Sequence, residues 1–160
     1  MKRKGKAKLQ TWREGMADWL GSLDWTFFAT FTTPYEMSTA SARRLMERTH
    51  DSWTRLTDGQ CTVIYFMEPN ELRDGYHLHA LVKVPPVFTH ATLFGALCDS
   101  YKAMAGGTVV KNDHGKLTFS GGARIQLKPY NPKRRSGAYV TKYITKKNGP
   151  DHWDLLLPKG

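Results

Sequence analysis

Two aromatic and β-branched runs, Cys61–Glu68 (CTVIYFME) and Tyr76–Val84 (YHLHALVKV), are separated only by the polar stretch Pro69–Gly75. This reads as a β-hairpin with a wide loop, and a hairpin commits the chain to antiparallel pairing. A further run, Trp25–Thr33 (WTFFATFTT), alternates after its first residues and stops at Pro34, as a half-buried strand does. Short strand-like runs follow at Thr108–Lys111, Lys116–Ser120 and Arg124–Tyr130, divided by Asn112-Asp113-His114-Gly115 and Gly121-Gly122 turns.

The intervening segments carry helical spacing. Leu9–Leu20 places Leu9, Trp12, Met16, Trp19 and Leu20 on one face before Gly21. Ser38–Leu56 has Ser38 as N-cap and Leu45, Thr49, Trp53 and Leu56 inside. Thr89–Ala105 has Thr89 as cap and a stripe of Leu93, Leu97, Tyr101 and Met104. Ser136–Lys147 repeats Tyr139, Val140, Tyr143 and Ile144 at helical intervals before Gly149-Pro150. The order predicts a single α+β domain, an antiparallel sheet flanked by helices. Residues 1–24 read as a basic segment with a short helix, 25–147 as the body of the domain and 148–160 as a tail.

With 160 residues and 40% hydrophobic content, one core is sustainable without staples; Cys61 and Cys98 read as reduced core residues. The 24 Lys and Arg against 14 Asp and Glu leave a net charge of +10. That balance points to a polyanionic partner, nucleic acid first and an anionic membrane second, because neutralising phosphates releases condensed counterions. No stretch approaches the length needed to span a bilayer, and a soluble, intracellular protein is expected.

His77 and His79, two apart in a strand, send both imidazoles to one face while Tyr76, Leu78 and Ala80 take the other. A register that sets Glu68 opposite His77 brings its carboxylate beside them. Two imidazoles and a carboxylate with open positions suit a divalent ion that must also admit a phosphate oxygen. Glu71 and Asp74, in the loop between, are alternative third ligands, ranked below Glu68 because a strand end fixes geometry better than a loop. His50, His90, His114 and His152 lack ligand spacing and read as structural.

Tyr139 and Tyr143 are four apart on the last helix, with Lys142 and Lys146 each three residues further on. An ammonium beside a phenol favours phenolate and steadies charge on a phosphate. Tyrosines so spaced also simply pack helices; the setting argues for more. From residue 124 to 147 the chain contains Arg124, Lys128, Lys133, Arg134, Arg135, Lys142, Lys146 and Lys147 and no acidic residue.

These features together resemble the HUH superfamily of rolling-circle replication initiators. Its threonine-rich first motif looks like Phe28-Ala29-Thr30-Phe31-Thr32-Thr33, its second like His77-Leu78-His79, and its third like Tyr139-Val140-Thr141-Lys142-Tyr143-Ile144-Thr145-Lys146. The resemblance spans residues 25–147 and implies a central five-stranded antiparallel sheet of the ferredoxin- or RRM-like kind, with the histidines on a central strand and the tyrosine helix beside them. It further implies Mg²⁺ or Mn²⁺ on His77, His79 and Glu68. The nucleophile would be Tyr143 or Tyr139, assisted by Lys146 and Lys142, with single-stranded origin DNA held by Thr30, Thr32, Arg124, Lys128, Lys133, Arg134 and Arg135. Two tyrosines match phage initiators, and Tyr143 is favoured for the first cut.

The expected activity is nicking and strand transfer through a 5′-phosphotyrosine link, in the cytoplasm of a bacterium carrying a phage or plasmid and alongside host helicase or replication proteins. No GxxxxGK[ST] phosphate loop occurs, so no helicase of the fused viral kind is expected. Two other readings compete. One is a single-strand DNA transposase sharing the metal motif. The other is a non-catalytic single-stranded DNA or RNA-binding module whose sheet aromatics Phe28, Phe31, Tyr65 and Phe66 stack on bases.

Overall fold

A computed structural model describes residues 14–88, 91–105, 108–111, 113–115, 117–120, 123–131, 133 and 152–159. Residues 14–21 are helical (α1). There follow β1 (Phe27–Thr32), α2 (Thr39–Leu56), β2 (Thr62–Pro69), β3 (Tyr76–Lys83), a 3-10 turn at Pro86–Phe88, and α3 (Ala91–Met104). The remaining elements are β4 (Thr108–Lys111), β5 (Leu117–Ser120), β6 (Arg124–Pro129) and β7 (Trp153–Leu156). Leu9, Trp12, the Thr89 cap and the Ser136–Lys147 segment lie outside the described residues.

One five-stranded sheet runs in the order β6-β1-β3-β2-β7, and every neighbouring pair in it is antiparallel. The expected α+β architecture is therefore present, with the histidine strand β3 at the centre. Among the described residues β4 and β5 pair only with each other, as a separate two-stranded hairpin. The fifth strand is β7, which pairs Trp153–Leu156 with Val63–Phe66. Residues 153–156 thus belong to the sheet, a correction to their reading as tail. Their signal is weak because a four-residue run broken by Asp154 falls below the length at which alternation shows.

The central strands are covered on both faces. Val63, Tyr65 and Met67 of β2 join Phe27, Ala29 and Phe31 of β1 in a core beneath α2 and α3. Ile64 and Phe66, on the other face, meet Leu20, Trp25 and Leu81 in a smaller one. Trp25 ends up outside the strand, its Nε1 donating to the Leu20 carbonyl at 2.7 Å. Ser38 caps α2, accepting from the Ser41 amide at 3.1 Å. Fully buried Trp53 then links α2 to α3 by donating to the Leu97 carbonyl at 3.0 Å.

His50 is only 1% exposed, and its Nε2 donates to the Cys61 carbonyl at 2.8 Å. Burial holds this imidazole below its ordinary value of 6.5, against the opposing effect of that hydrogen bond. As pH falls below 6.5 the unfolded chain takes up a proton that the folded chain refuses, so stability should decline from there down to the folded value. The slope expected in urea titrations is up to about 1.4 kcal/mol per pH unit for this group. His50→Gln, which keeps an N–H donor, should flatten it; an unchanged slope would show that His50 is not its source.

Candidate metal centre

The β2–β3 hairpin pairs Glu68 with His77 and Phe66 with His79, the register that the metal reading requires. Side-chain alternation then puts Glu68, His77 and His79 on one face, away from α2 and α3. A single carboxylate oxygen, Glu68 Oε2, lies 2.7 Å from Nε2 of His77 and 2.7 Å from Nε2 of His79. The two rings meet edge to face, with centroids 4.9 Å apart. Among the described residues these three form the group able to hold a metal ion, their ligand atoms all within 4.8 Å of one another. Glu71 and Asp74, the other candidates for third ligand, are exposed in the loop and stand outside it.

The imidazoles are anchored on their far sides. His77 Nδ1 is 3.0 Å from the Asn70 carboxamide oxygen, and His79 Nδ1 is 3.2 Å from the Thr30 hydroxyl. Phe28 stacks on the His79 ring at 5.9 Å. The His79 side chain is 8% exposed, against 21% for both His77 and Glu68. Burial keeps the His79 imidazole below 6.5; the Glu68 hydrogen bond and charge raise it, and the nearby His77 adds to the lowering. A ring held neutral is a ring ready to coordinate, because a metal competes with protons for the same lone pair.

Thr30 and Thr32 lie on this same face, opposite Gln126 and Arg124 of β6. Together with Lys102, Ala123 and Ile125 they line a groove of about 640 Å³. Thr30 touches His79 and also lines the groove, so groove and ligand set are contiguous. Arg124, Gln126 and Lys128 are exposed along β6, and Lys128 pairs with Phe28. This is a polar, cationic sheet edge next to a ligand set. Lys133 is exposed beyond the end of β6, its amide donating to Asn131 at 3.0 Å. Tyr139, Tyr143, Lys142, Lys146, Arg134 and Arg135 lie outside the described residues.

Two participants escape sequence reasoning. Asn70 follows Glu68 by two residues in the loop, and only the fold brings it back onto His77. Gln126 carries no charge to mark it, yet it lines the groove with Arg124. The base-stacking role considered for the sheet aromatics also needs correction. Phe31, Tyr65 and Phe66 are fully buried in the two cores, and burial pushes the Tyr65 phenol up to about 12. Phe28 is partly buried against the smaller core as well as against His79.

The remaining histidines have other partners or settings: His50 is in the core, His152 Nε2 lies 3.3 Å from the Tyr76 hydroxyl, and His114 is exposed in the β4–β5 turn. His90 lies outside the described residues. No described helix is long and apolar enough to cross a membrane. Comparison with family models, curated proteins and solved structures finds no match for this chain.

Proposed function

We propose that this protein is a metal-dependent endonuclease of the HUH initiator type, which nicks single-stranded DNA and transfers the strand through a tyrosine. The observation that carries the reading is the convergence of His77 Nε2, His79 Nε2 and Glu68 Oε2 next to a groove walled by threonines and Arg124. Two nitrogens and one oxygen leave coordination positions for substrate oxygens. A bound Mg²⁺ or Mn²⁺ supplies Lewis-acid polarisation of a phosphate. Thr30, Thr32, Arg124 and Lys128 hold the DNA backbone, as hydroxyl donors and cations do in sequence-independent phosphate contacts.

The phenol of Tyr143, or of Tyr139, attacks phosphorus. One P–O bond to tyrosine forms, the bond to the 3′-oxygen breaks, and the phenolic proton is balanced by protonation of that oxygen to a free 3′-hydroxyl. Lys142 and Lys146 favour the phenolate, since a free phenol with a pKa near 10 is a poor nucleophile. The second tyrosine receives the strand in a later transfer. Replication initiation is favoured over transposition by the tandem tyrosine–lysine pattern, and the DNA flanking the gene discriminates between them.

The test is incubation of the full chain with end-labelled single-stranded DNA from its own replicon, with Mn²⁺ or with a chelator. A covalent adduct that forms only with Mn²⁺ and maps to the peptide containing Tyr139 and Tyr143 is expected. If divalent ions alter neither cleavage nor thermal stability, the non-catalytic binding module becomes the better account.

A further inference from the structure

A neutral imidazole has one N–H and one lone pair, and its usefulness as a ligand depends on which nitrogen holds which. At His77 the surroundings make that choice. The Asn70 side chain is oriented by its own amide: Nδ2 donates to the Asp74 carbonyl at 3.3 Å, which turns Oδ1 toward His77 Nδ1 at 3.0 Å. An amide oxygen can only accept, so this contact places the hydrogen on Nδ1. The lone pair is thereby left on Nε2, the atom 2.7 Å from Glu68 Oε2. Glu68 Oε2 can also only accept, so it competes with Asn70 for the single ring hydrogen, and where Asn70 keeps that hydrogen the contact between Nε2 and Oε2 takes a cation.

The loop holding Asn70 is tied at several points. The Asn70 amide donates to the Gly75 carbonyl at 2.9 Å, Arg73 Nη2 donates to the Thr33 carbonyl at 2.6 Å, and the Tyr76 amide donates to the Met37 carbonyl at 3.0 Å. Asn70 is therefore a fixed acceptor, not a chance surface contact. At His79 the same position is filled by Thr30, the direct cross-strand neighbour, whose hydroxyl lies 3.2 Å from Nδ1. A hydroxyl both donates and accepts, so Thr30 constrains its ring less strictly than Asn70 does.

We propose that Asn70 and Thr30 are positioning residues that hold His77 and His79 in the Nδ1–H tautomer, so that two Nε2 lone pairs and one Glu68 oxygen converge on one cation. The proposal rests on the metal-binding reading of the site and adds to it the outer partners that prepare the ligands. Such partners fix ring orientation and raise ligand basicity, and losing one typically costs about 10–100-fold in metal affinity.

The experiment uses the full chain, labelled with ¹⁵N-histidine and free of metal, at a pH where both rings are neutral. Long-range ¹H–¹⁵N correlations should show the Nδ1–H tautomer at His77 and His79. In Asn70→Leu the His77 pattern should move toward a mixture with Nε2–H, whereas Asn70→Asp, which keeps an acceptor, should retain Nδ1–H. Mn²⁺ titration should show a loss of about 10–100-fold for Asn70→Leu and a smaller loss for Thr30→Val, with Thr30→Ser close to the parent. Circular dichroism confirms that each variant is folded. An Nε2–H tautomer in the parent protein, or Asn70→Leu with parental tautomer and parental Mn²⁺ affinity, overturns the proposal. A parent that shows Nδ1–H at both rings yet binds no Mn²⁺ overturns the metal reading instead, while the tautomer lock stands.

Discussion

Glu68→Gln is expected to leave the protein folded and to remove its metal binding. The glutamine keeps the length and shape of the side chain, and its amide can still hydrogen-bond the two Nε2 atoms that Glu68 Oε2 now meets at 2.7 Å. What disappears is the formal negative charge, leaving a neutral amide oxygen that is a weaker ligand for a divalent ion. The loss of Mn²⁺ affinity should exceed the roughly 100-fold at the upper end of outer-partner substitutions, because a charged direct ligand gives way to a neutral one. Calorimetric titration measures it, and under the proposed nuclease function the covalent DNA adduct should vanish with it. Because Glu68 is 21% exposed and not a core residue, the thermal midpoint of the metal-free variant should stay close to that of the metal-free parent. Parental Mn²⁺ affinity in Glu68→Gln would mean that the ion sits elsewhere.

Gly75→Ala should damage fold and site together. Gly75 has φ +89, a left-handed conformation that side chains with a Cβ rarely adopt, and a Cβ built there would lie 2.7 Å from the Met37 backbone nitrogen. The conformation alone costs of order 1–3 kcal/mol, and relief of the overlap requires backbone to move. For a chain of this size that is a fall of roughly 3–10 °C in thermal midpoint. Movement there pulls on the Tyr76–Met37 and Asn70–Gly75 backbone hydrogen bonds, and so on Asn70 beneath His77. Mn²⁺ affinity should therefore drop along with stability. Gly95→Ala is the control: Gly95 is within α3, a Cβ there meets nothing within 4 Å, and the exchange should stabilise the helix by about 0.5–1 kcal/mol. Equal thermal midpoints for the two variants would show that the Gly75 backbone is not constrained as described.

The sequence carries its clearest information where the physical period is unbroken. The β2–β3 hairpin is legible because two long β-branched and aromatic runs flank a polar loop, but runs of eight and nine residues pair end to end in two ways, so the Glu68–His77 register is an assumption in the sequence and a finding in the structure. α2 is legible from its Ser38 cap and its inward Leu45, Thr49 and Trp53. Elsewhere the signal fails for identifiable reasons. Phe31 and Phe66 resemble stacking platforms in sequence, since an aromatic on a strand reads the same whether its face meets solvent or a second layer. Only α1 and Trp25, packed over Ile64, Phe66 and Leu81, reveal that Phe66 lies beneath such a layer. Asn70 is invisible because its role depends on loop closure through Arg73, Gly75 and Met37, contacts without a period.

The two parts of the candidate site also differ in how firmly the backbone holds them. β3, with both histidines, is hydrogen-bonded along both edges, to β1 and to β2. β6, with Arg124, Gln126 and Lys128, is among the described residues an outer strand paired only to β1. Amide protons at the centre of a sheet exchange with solvent through openings close to global unfolding, whereas those of an outer strand exchange through smaller, local ones. Ligand geometry is thus as durable as the fold itself, while the cationic wall of the groove opens through smaller, local fluctuations that leave the histidines in place.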